Sequence, residues 1–111
     1  GGTTDVATRT EFADRQTTKQ VDGRPVTGWF VEDFTLAELK TLRAIERLPA
    51  QRPERTPYDG LYQVPTIDEV LAFARRTETC DGEPIGVIPE IKHSTYLADA
   101  GLPAERGREA V

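Results

Sequence analysis

The stretch IGVIPEIKHSTY, residues 85–96, decides how this chain is interpreted. It begins with the apolar character of a buried strand and then places Glu90, Lys92 and His93 within four residues. Because side chains along a strand alternate between two faces, one face of residues 85–92 is apolar throughout. The other face begins with glycine and isoleucine and becomes charged only at Glu90 and Lys92. This pattern predicts a strand of a β/α barrel, in which functional groups stand at the carboxyl end.

Glu90 and Lys92 would then point inward from the same strand, about 7 Å apart. A carboxylate and an ammonium held in this way can bind a hard cation and an anionic substrate together. The residues alone leave a second interpretation open, in which Glu90 and Lys92 form a rim salt bridge on an ordinary edge strand. Pro89 favours this alternative, since proline removes a hydrogen-bond donor from the ladder.

Two amphipathic helices are predicted upstream of this strand. Residues 35–38, Thr-Leu-Ala-Glu, fit a capping box, and leucine and isoleucine then recur at helical spacing, so a helix is expected from residue 36 to about residue 47. The same logic at residues 66–69 predicts a second helix that begins at Ile67 and ends near Thr77. A short helical turn is expected at residues 96–100, with Gly101 as its stop.

The remaining segments have the composition of loops. Residues 1–34 are predicted to be a long polar loop insertion, with a short hairpin around Asp22 and Gly23. Residues 35–103 hold the two helices and the one main strand, and residues 104–111 are a polar tail. A helix that leads into a buried strand is the αβ half of a β/α unit. The predicted fold class is therefore α/β, a partial TIM (β/α)8 barrel that forms a fragment of a larger domain.

Charge, apolar runs and cysteine content limit the partners and the covalent links that this chain is expected to have. The net charge of -5 argues against a nucleic-acid partner, because phosphate binding requires a concentrated basic face. No apolar run approaches the roughly 20 residues of a transmembrane helix, so no transmembrane segment is expected. The single cysteine, Cys80, excludes an internal disulfide. Oligomeric state is not specified by any of these features.

Four segments carry a resemblance to a known family: PEIKHSTY, DFTLAELKTLRA, VPTIDEVLAFAR and the opening GGTTDV. In this order they resemble the glycerophosphodiester phosphodiesterases, most closely the longer, periplasmic or secreted bacterial type. The resemblance implies a TIM barrel that hydrolyses small-molecule glycerophosphodiesters to glycerol 3-phosphate and an alcohol. It implies a divalent metal, Ca²⁺ or Mg²⁺, held by carboxylates, and two histidines as general acid and base. The implied compartment is the periplasm or the exterior, with the cytoplasm left open.

The resemblance also assigns roles to individual residues. Glu90 resembles the third metal carboxylate, and Lys92 resembles the basic residue that faces the substrate phosphate. His93 stands just beyond the motif, as a substrate contact or as a structural residue of the rim. Trp29, in the long insertion, lines the pocket for the alcohol group or else anchors the loop onto the helix at Leu36.

The chain departs from the family pattern in its catalytic motifs. The H-R-G histidine and the Glu-x-Asp pair are absent, and the second catalytic histidine would lie before Gly1. No catalytic residue is therefore assigned, and the segment alone is expected to be inactive, whereas its full-length parent is expected to be the enzyme. The alternative function is a non-catalytic binding or assembly domain built on a barrel remnant.

Overall fold

The structure is a computed structural model, and it describes residues 2–90 and 92–101. In these residues two strands, β1 (Thr17–Val21) and β2 (Arg24–Gly28), form a two-stranded antiparallel sheet. The α-helices described are α1 (Leu36–Thr41), α2 (Ile67–Ala74) and α3 (Ser94–Asp99). Short 3-10 helices span Asp5–Thr8, Thr10–Arg15, Val31–Asp33 and Pro53–Tyr58.

The chain divides into two compact units. The first unit comprises residues 2–18 and 27–66, and the second comprises residues 19–26 together with the described residues from 67 onward. None of the helices in residues 2–90 and 92–101 is long and apolar enough to cross a bilayer.

The hydrophobic core of the first unit is a cluster of Val6, Phe12 and Leu42. Partly buried side chains pack against it, namely Trp29, Phe34, Leu39 and Val64. The rings of Phe12 and Phe34 meet edge to face, with their centroids 5.1 Å apart. Two of the three buried residues thus come from the first twelve residues of the chain.

This core corrects the prediction that residues 1–34 are a long polar loop. Asp5–Thr8 and Thr10–Arg15 are 3-10 helices that bury Val6 and Phe12. Apart from the alanine that follows each of them, Val6 and Phe12 are flanked by polar residues, so neither a period of 3.6 nor a period of 2 reveals them in the sequence. The predicted hairpin is confirmed: Asp22 (φ 50°) and Gly23 (φ 77°) both have the positive φ that a two-residue turn requires.

Residues 43–45 hold the first unit together through backbone hydrogen bonds on both sides. On one side Asp5 N donates to Arg43 O (3.0 Å) and Ile45 N donates to Thr3 O (2.9 Å). On the other side Ala44 N donates to Tyr62 O (2.8 Å). This pairing explains why α1 ends at Thr41 rather than near residue 47, since the extended backbone at residue 42 (ψ 157°) leads directly into it.

The carboxylate of Asp5 adds a side-chain hydrogen bond to the pairing of residues 3–5 with residues 43–45. Arg43 N donates to Asp5 Oδ1 at 2.8 Å, and Arg9 Nε donates to Asp5 Oδ2 at 2.9 Å. Partial burial raises the pKa of Asp5, but these hydrogen bonds outweigh it, and the pKa lies below its usual value.

The predicted capping box of α1 is confirmed. Thr35 Oγ1 accepts from Glu38 N, and Thr35 N donates to Glu38 Oε2 at 2.8 Å. Glu38 also accepts from both terminal guanidinium nitrogens of Arg15, from Nη2 at 2.6 Å and from Nη1 at 3.0 Å. The guanidinium of Arg15 lies 5.1 Å from the centroid of the Phe34 ring. The hydrogen bonds from Arg15 contribute most, and that from the backbone N–H of Thr35 contributes next, to a pKa of Glu38 that is lowered to about 2.

The second unit contains α2, which begins at Ile67 as predicted and ends at Ala74, before the expected Thr77. A tight turn follows, in which Thr79 N donates to Glu83 O at 2.8 Å and Gly82 takes a φ of 80°. Cys80 lies exposed in this turn. Helix α3 confirms the predicted helical turn, with Gly101 (φ 70°) beyond its end.

The main strand predicted over residues 85–92 is not formed by those of its residues that are described. Residues 85–90 and Lys92 belong to no strand, and Ile88 is 97% exposed. A strand requires a neighbouring strand that pairs with its N–H and C=O groups. Among the described residues, no strand pairs with residues 85–90. The α/β class is confirmed in its coarser sense, as a mixed structure whose described sheet is the hairpin alone. Ile91 and the predicted tail, residues 104–111, lie outside the described residues.

Replacing Phe12 with alanine should lower the free energy of unfolding by roughly 3 kcal/mol, because the ring leaves the cluster and Phe34 loses its edge contact. Urea denaturation followed by circular dichroism measures this change. Phe73→Ala is the matched control, since Phe73 is 63% exposed and its removal should cost less than about 0.5 kcal/mol. Equal losses in the two variants would contradict the assignment of this core.

Glu38 makes stability depend on pH in the acid range. Its pKa is about 2 in the folded chain and near the ordinary 4.5 when unfolded, so folding favours the ionised carboxylate. The contribution is present above the ordinary value and is lost as the pH falls through about 2. We expect the thermal midpoint to fall less steeply in Glu38→Gln than in the wild type across this window. Glu54→Gln, at a carboxylate that is 68% exposed, should follow the wild type; a parallel decline in all three proteins would contradict the role of Glu38.

Candidate functional site

The predicted site residues Glu90, Lys92 and His93 lie together in the second unit, in the segment that precedes α3. All three side chains are exposed. Because residues 85–90 form no strand, the described part of this segment does not direct Glu90 and Lys92 toward a common interior. Their roles toward a metal and a phosphate stay predictions.

His93 has a partner that the sequence did not suggest. Its Nδ1 lies 2.6 Å from Oδ2 of Asp22, at the tip of the β1–β2 hairpin and within the same unit. Asp22 (φ 50°) and His93 (φ 56°) are also the two non-glycine residues with positive φ in residues 2–90 and 92–101. Such backbone conformations are costly for residues with a side chain and persist only where the surroundings hold them. The turn signal at Asp22 was visible in the sequence, but its partner 71 residues away was not.

The pair can set the state of the imidazole. A carboxylate that accepts from Nδ1–H selects one tautomer and leaves Nε2 available to a ligand or a proton. The two side chains are 57% and 47% exposed, so Nε2 is reachable from solvent. The pair is an oriented histidine on an open surface, and it supports the prediction of a substrate contact only in this chemical sense.

The described residues do not form a complete site for the divalent metal that the resemblance implies. Residues 2–90 and 92–101 contain no group of three or more His, Cys, Asp or Glu side chains that could hold a metal ion. Calcium requires roughly six to eight oxygen ligands and magnesium a near-octahedral set. Glu90 could therefore supply one ligand, and the described residues do not by themselves fit the ion.

Trp29 belongs to the first unit. Its Nε1 donates to Phe12 O at 2.7 Å, and the ring packs against the core cluster. The anchoring contact is thus made with that cluster, whereas Leu36, the expected partner, is 61% exposed. Trp29 also lines a cavity of about 120 Å³ together with mainly apolar side chains, among them Val6, Phe34, Leu39 and Val64. A contact between Trp29 and substrate stays a prediction.

A larger cavity of about 370 Å³ opens in the first unit. Its lining consists of Ala44, Ile45, Glu46, Arg55, Tyr58, Asp59 and Tyr62. We call it the tyrosine cavity. Sequence reasoning did not assign it, because its walls come from residues 44–46 and from a proline-containing loop whose approach to them is not encoded in any local pattern.

Comparison with known proteins identifies the relatives of the chain. It is 41% identical over 95 residues to the glycerophosphodiester phosphodiesterase GDPD6 of Arabidopsis thaliana, and this alignment covers 86% of the chain and 24% of that protein. It is 29% identical over 99 residues to a glycerophosphodiester phosphodiesterase of Haemophilus influenzae, and this alignment covers 82% of the chain and 25% of that protein. No protein-family model and no solved structure matches the chain.

This chain is thus a homologue of part of the glycerophosphodiester phosphodiesterases, and the resemblance seen in its motifs is confirmed. The chain spans about a quarter of the length of the curated relatives that it matches.

The orientation of His93 by Asp22 is directly testable, because the chain contains one histidine. Nitrogen-15 shifts of the neutral imidazole should report a proton mainly on Nδ1 in the wild type. Asp22→Gly removes the carboxylate and suits the positive φ, and it should move the proton toward Nε2. Asp81→Asn, at another exposed aspartate of the second unit, is the control and should leave the shifts unchanged. Identical tautomers in wild type and Asp22→Gly would show that the contact does not orient the ring.

Proposed function

We propose that this chain is a segment of a metal-dependent glycerophosphodiester phosphodiesterase, which hydrolyses glycerophosphodiesters to glycerol 3-phosphate and an alcohol. The observation that carries the proposal is the identity of 41% over 86% of the chain to a protein of that name. The motif PEIK at residues 89–92 supports it, since it supplies a carboxylate and an ammonium two positions apart in one segment. In the whole protein this segment would be a strand of a β/α barrel, paired with strands from elsewhere.

The reaction determines what each residue can do. Cleavage of a phosphodiester requires neutralisation of the phosphate, activation of a nucleophile and protonation of the leaving alkoxide. Lys92 provides a positive charge for the phosphate, and Glu90 provides one carboxylate toward Ca²⁺ or Mg²⁺, which when bound would polarise the phosphoryl oxygens. His93 is proposed to contact the substrate through Nε2, and Trp29 is proposed to border the pocket for the alcohol.

The segment alone is proposed to be inactive. General acid and general base catalysis by two histidines cannot be performed by a chain that contains one histidine. The described residues also lack the cluster of ligands that a divalent metal requires. Export to the periplasm or the exterior is proposed from the bacterial type that the motifs resemble.

A non-catalytic binding domain is the second candidate. The absence of a metal-ligand cluster from residues 2–90 and 92–101, together with the tyrosine cavity in the first unit, favours it. The two candidates differ in one respect that can be measured, since only the first requires turnover.

The test measures choline release from glycerophosphocholine by the 111-residue chain and by the longest natural polypeptide that contains it, with Ca²⁺ or Mg²⁺ and after chelation. We expect turnover only in the longer protein and only with metal. In that protein Glu90→Gln should reduce the rate by roughly 100-fold, as loss of groups at a metal centre does. Glu83→Gln, at another exposed carboxylate seven positions earlier, is the matched control and should retain the rate. A longer protein that binds glycerophosphocholine without turnover would establish the binding domain instead.

A further inference from the structure

We propose that the tyrosine cavity binds a small organic monocation of the quaternary ammonium class. The inference rests on the walls of this cavity in the first unit and does not depend on the hydrolase activity. It concerns the aromatic rings of Tyr58 and Tyr62 and the carboxylate of Asp59, none of which has a role in the proposed reaction.

The cavity has a built framework. Ala44 N donates to Tyr62 O at 2.8 Å, and Gly60 N donates to Ala44 O at 3.0 Å, so two backbone hydrogen bonds join residues 60–62 to Ala44 on the facing wall of the cavity. Glu46 N donates to Asp59 Oδ1 at 2.6 Å and holds this carboxylate against the same wall. Gly60 takes a φ of 80°, which lets the loop turn between the two tyrosines. The backbone of Gly60 and Tyr62 and the carboxylate of Asp59 are therefore held against residues 44–46.

The charges around the cavity leave one carboxylate without a cation. Glu46, whose side chain is 8% exposed, pairs with Arg52 at 2.9 Å and accepts from Leu48 N. Arg55 has Glu54 as its counter-charge at 3.9 Å. Asp59 forms no ion pair within residues 2–90 and 92–101, and its hydrogen bond from Glu46 N uses a neutral donor. The cavity wall thus carries one uncompensated negative charge, which favours a monocation over an anion.

The aromatic pair indicates which kind of cation fits. The rings of Tyr58 and Tyr62 are nearly parallel, with an interplanar angle of 29° and centroids 6.5 Å apart. Both residues line the cavity and are more than half exposed, so a ligand in the cavity can contact their rings. Tyrosine rings beside a carboxylate recognise quaternary ammonium groups, because these cations are weakly hydrated and have no N–H group that requires a hydrogen-bond acceptor. One free carboxylate is too few for a divalent metal, which requires about six oxygen ligands.

The experiment uses the 111-residue chain and follows backbone and tyrosine resonances by NMR during titration with choline. We expect saturable shifts at Tyr58, Asp59 and Tyr62, with dissociation in the millimolar range, at concentrations up to about 10 mM. The neutral isostere 3,3-dimethyl-1-butanol has the same shape without the charge and should not produce them. Glycerophosphocholine is the second arm, since it carries the same ammonium within a diester.

Variants separate charge from ring. Asp59→Asn keeps the acceptor for Glu46 N and removes the charge, so choline should bind roughly two- to fivefold more weakly. Tyr58→Leu should weaken binding similarly, whereas Tyr58→Phe keeps the ring and should bind as the wild type does. Asp81→Asn, in the other unit, is the matched control for charge.

Binding of either ammonium compound with the expected losses supports the proposal, and the ratio of the two dissociation constants tells whether the cation is recognised free or within a diester. Three results would overturn it: absence of shifts with both compounds, equal shifts with the neutral isostere, or losses no greater in Asp59→Asn and Tyr58→Leu than in the controls. None of these readouts requires hydrolysis, so failure here and failure of the hydrolase proposal are distinct.

Discussion

Pairing of residues 43–45 on both of their sides is the constraint on which the first unit depends. On one side the backbone of residues 43–45 is hydrogen-bonded to the backbone of Asp5 and Thr3, and on the other side to the backbone of Tyr62. The pairing brings the amino-terminal segment beside α1, so that Val6 and Phe12 can join Leu42 in the core. It also forms the wall from which the tyrosine cavity opens. A small core thus gains its definition from hydrogen bonds that join three distant parts of the chain.

Features with a local cause could be predicted from the sequence. The capping box at Thr35 and Glu38 and the turn at Asp22 and Gly23 depend on residues a few positions apart, and both are present. The end of α1 could not be predicted, because residues 42–47 have helical spacing but are taken by pairing with Thr3 and Tyr62. Tertiary pairing there outweighs a modest local preference for helix. The burial of Phe12 was missed for the same reason, since Phe34 and Leu42, which pack in the same cluster, lie more than twenty positions away.

The candidate site shows the same division. The motif that holds Glu90 and Lys92, taken with three other segments, pointed correctly to a family, yet the strand that would orient the two residues is not formed by residues 85–90. A strand is a property of a pair, and its partner cannot be inferred from its own pattern. The contact of His93 with Asp22 was equally invisible, because it links two turns 71 positions apart. Trp29 was correctly placed near an apolar cluster, but the cluster is formed with Phe12 rather than with Leu36.

The division into two units has a practical meaning for spectroscopy. The chain has one tryptophan and one cysteine, and they fall on opposite sides of the division. The indole of Trp29 is bonded to the core of the first unit, whereas the thiol of Cys80 stands open in the second. A fluorophore coupled to that thiol would therefore make a donor–acceptor pair with the native indole, with no engineered residue at either end. Energy transfer between them reports the separation of the two units in solution.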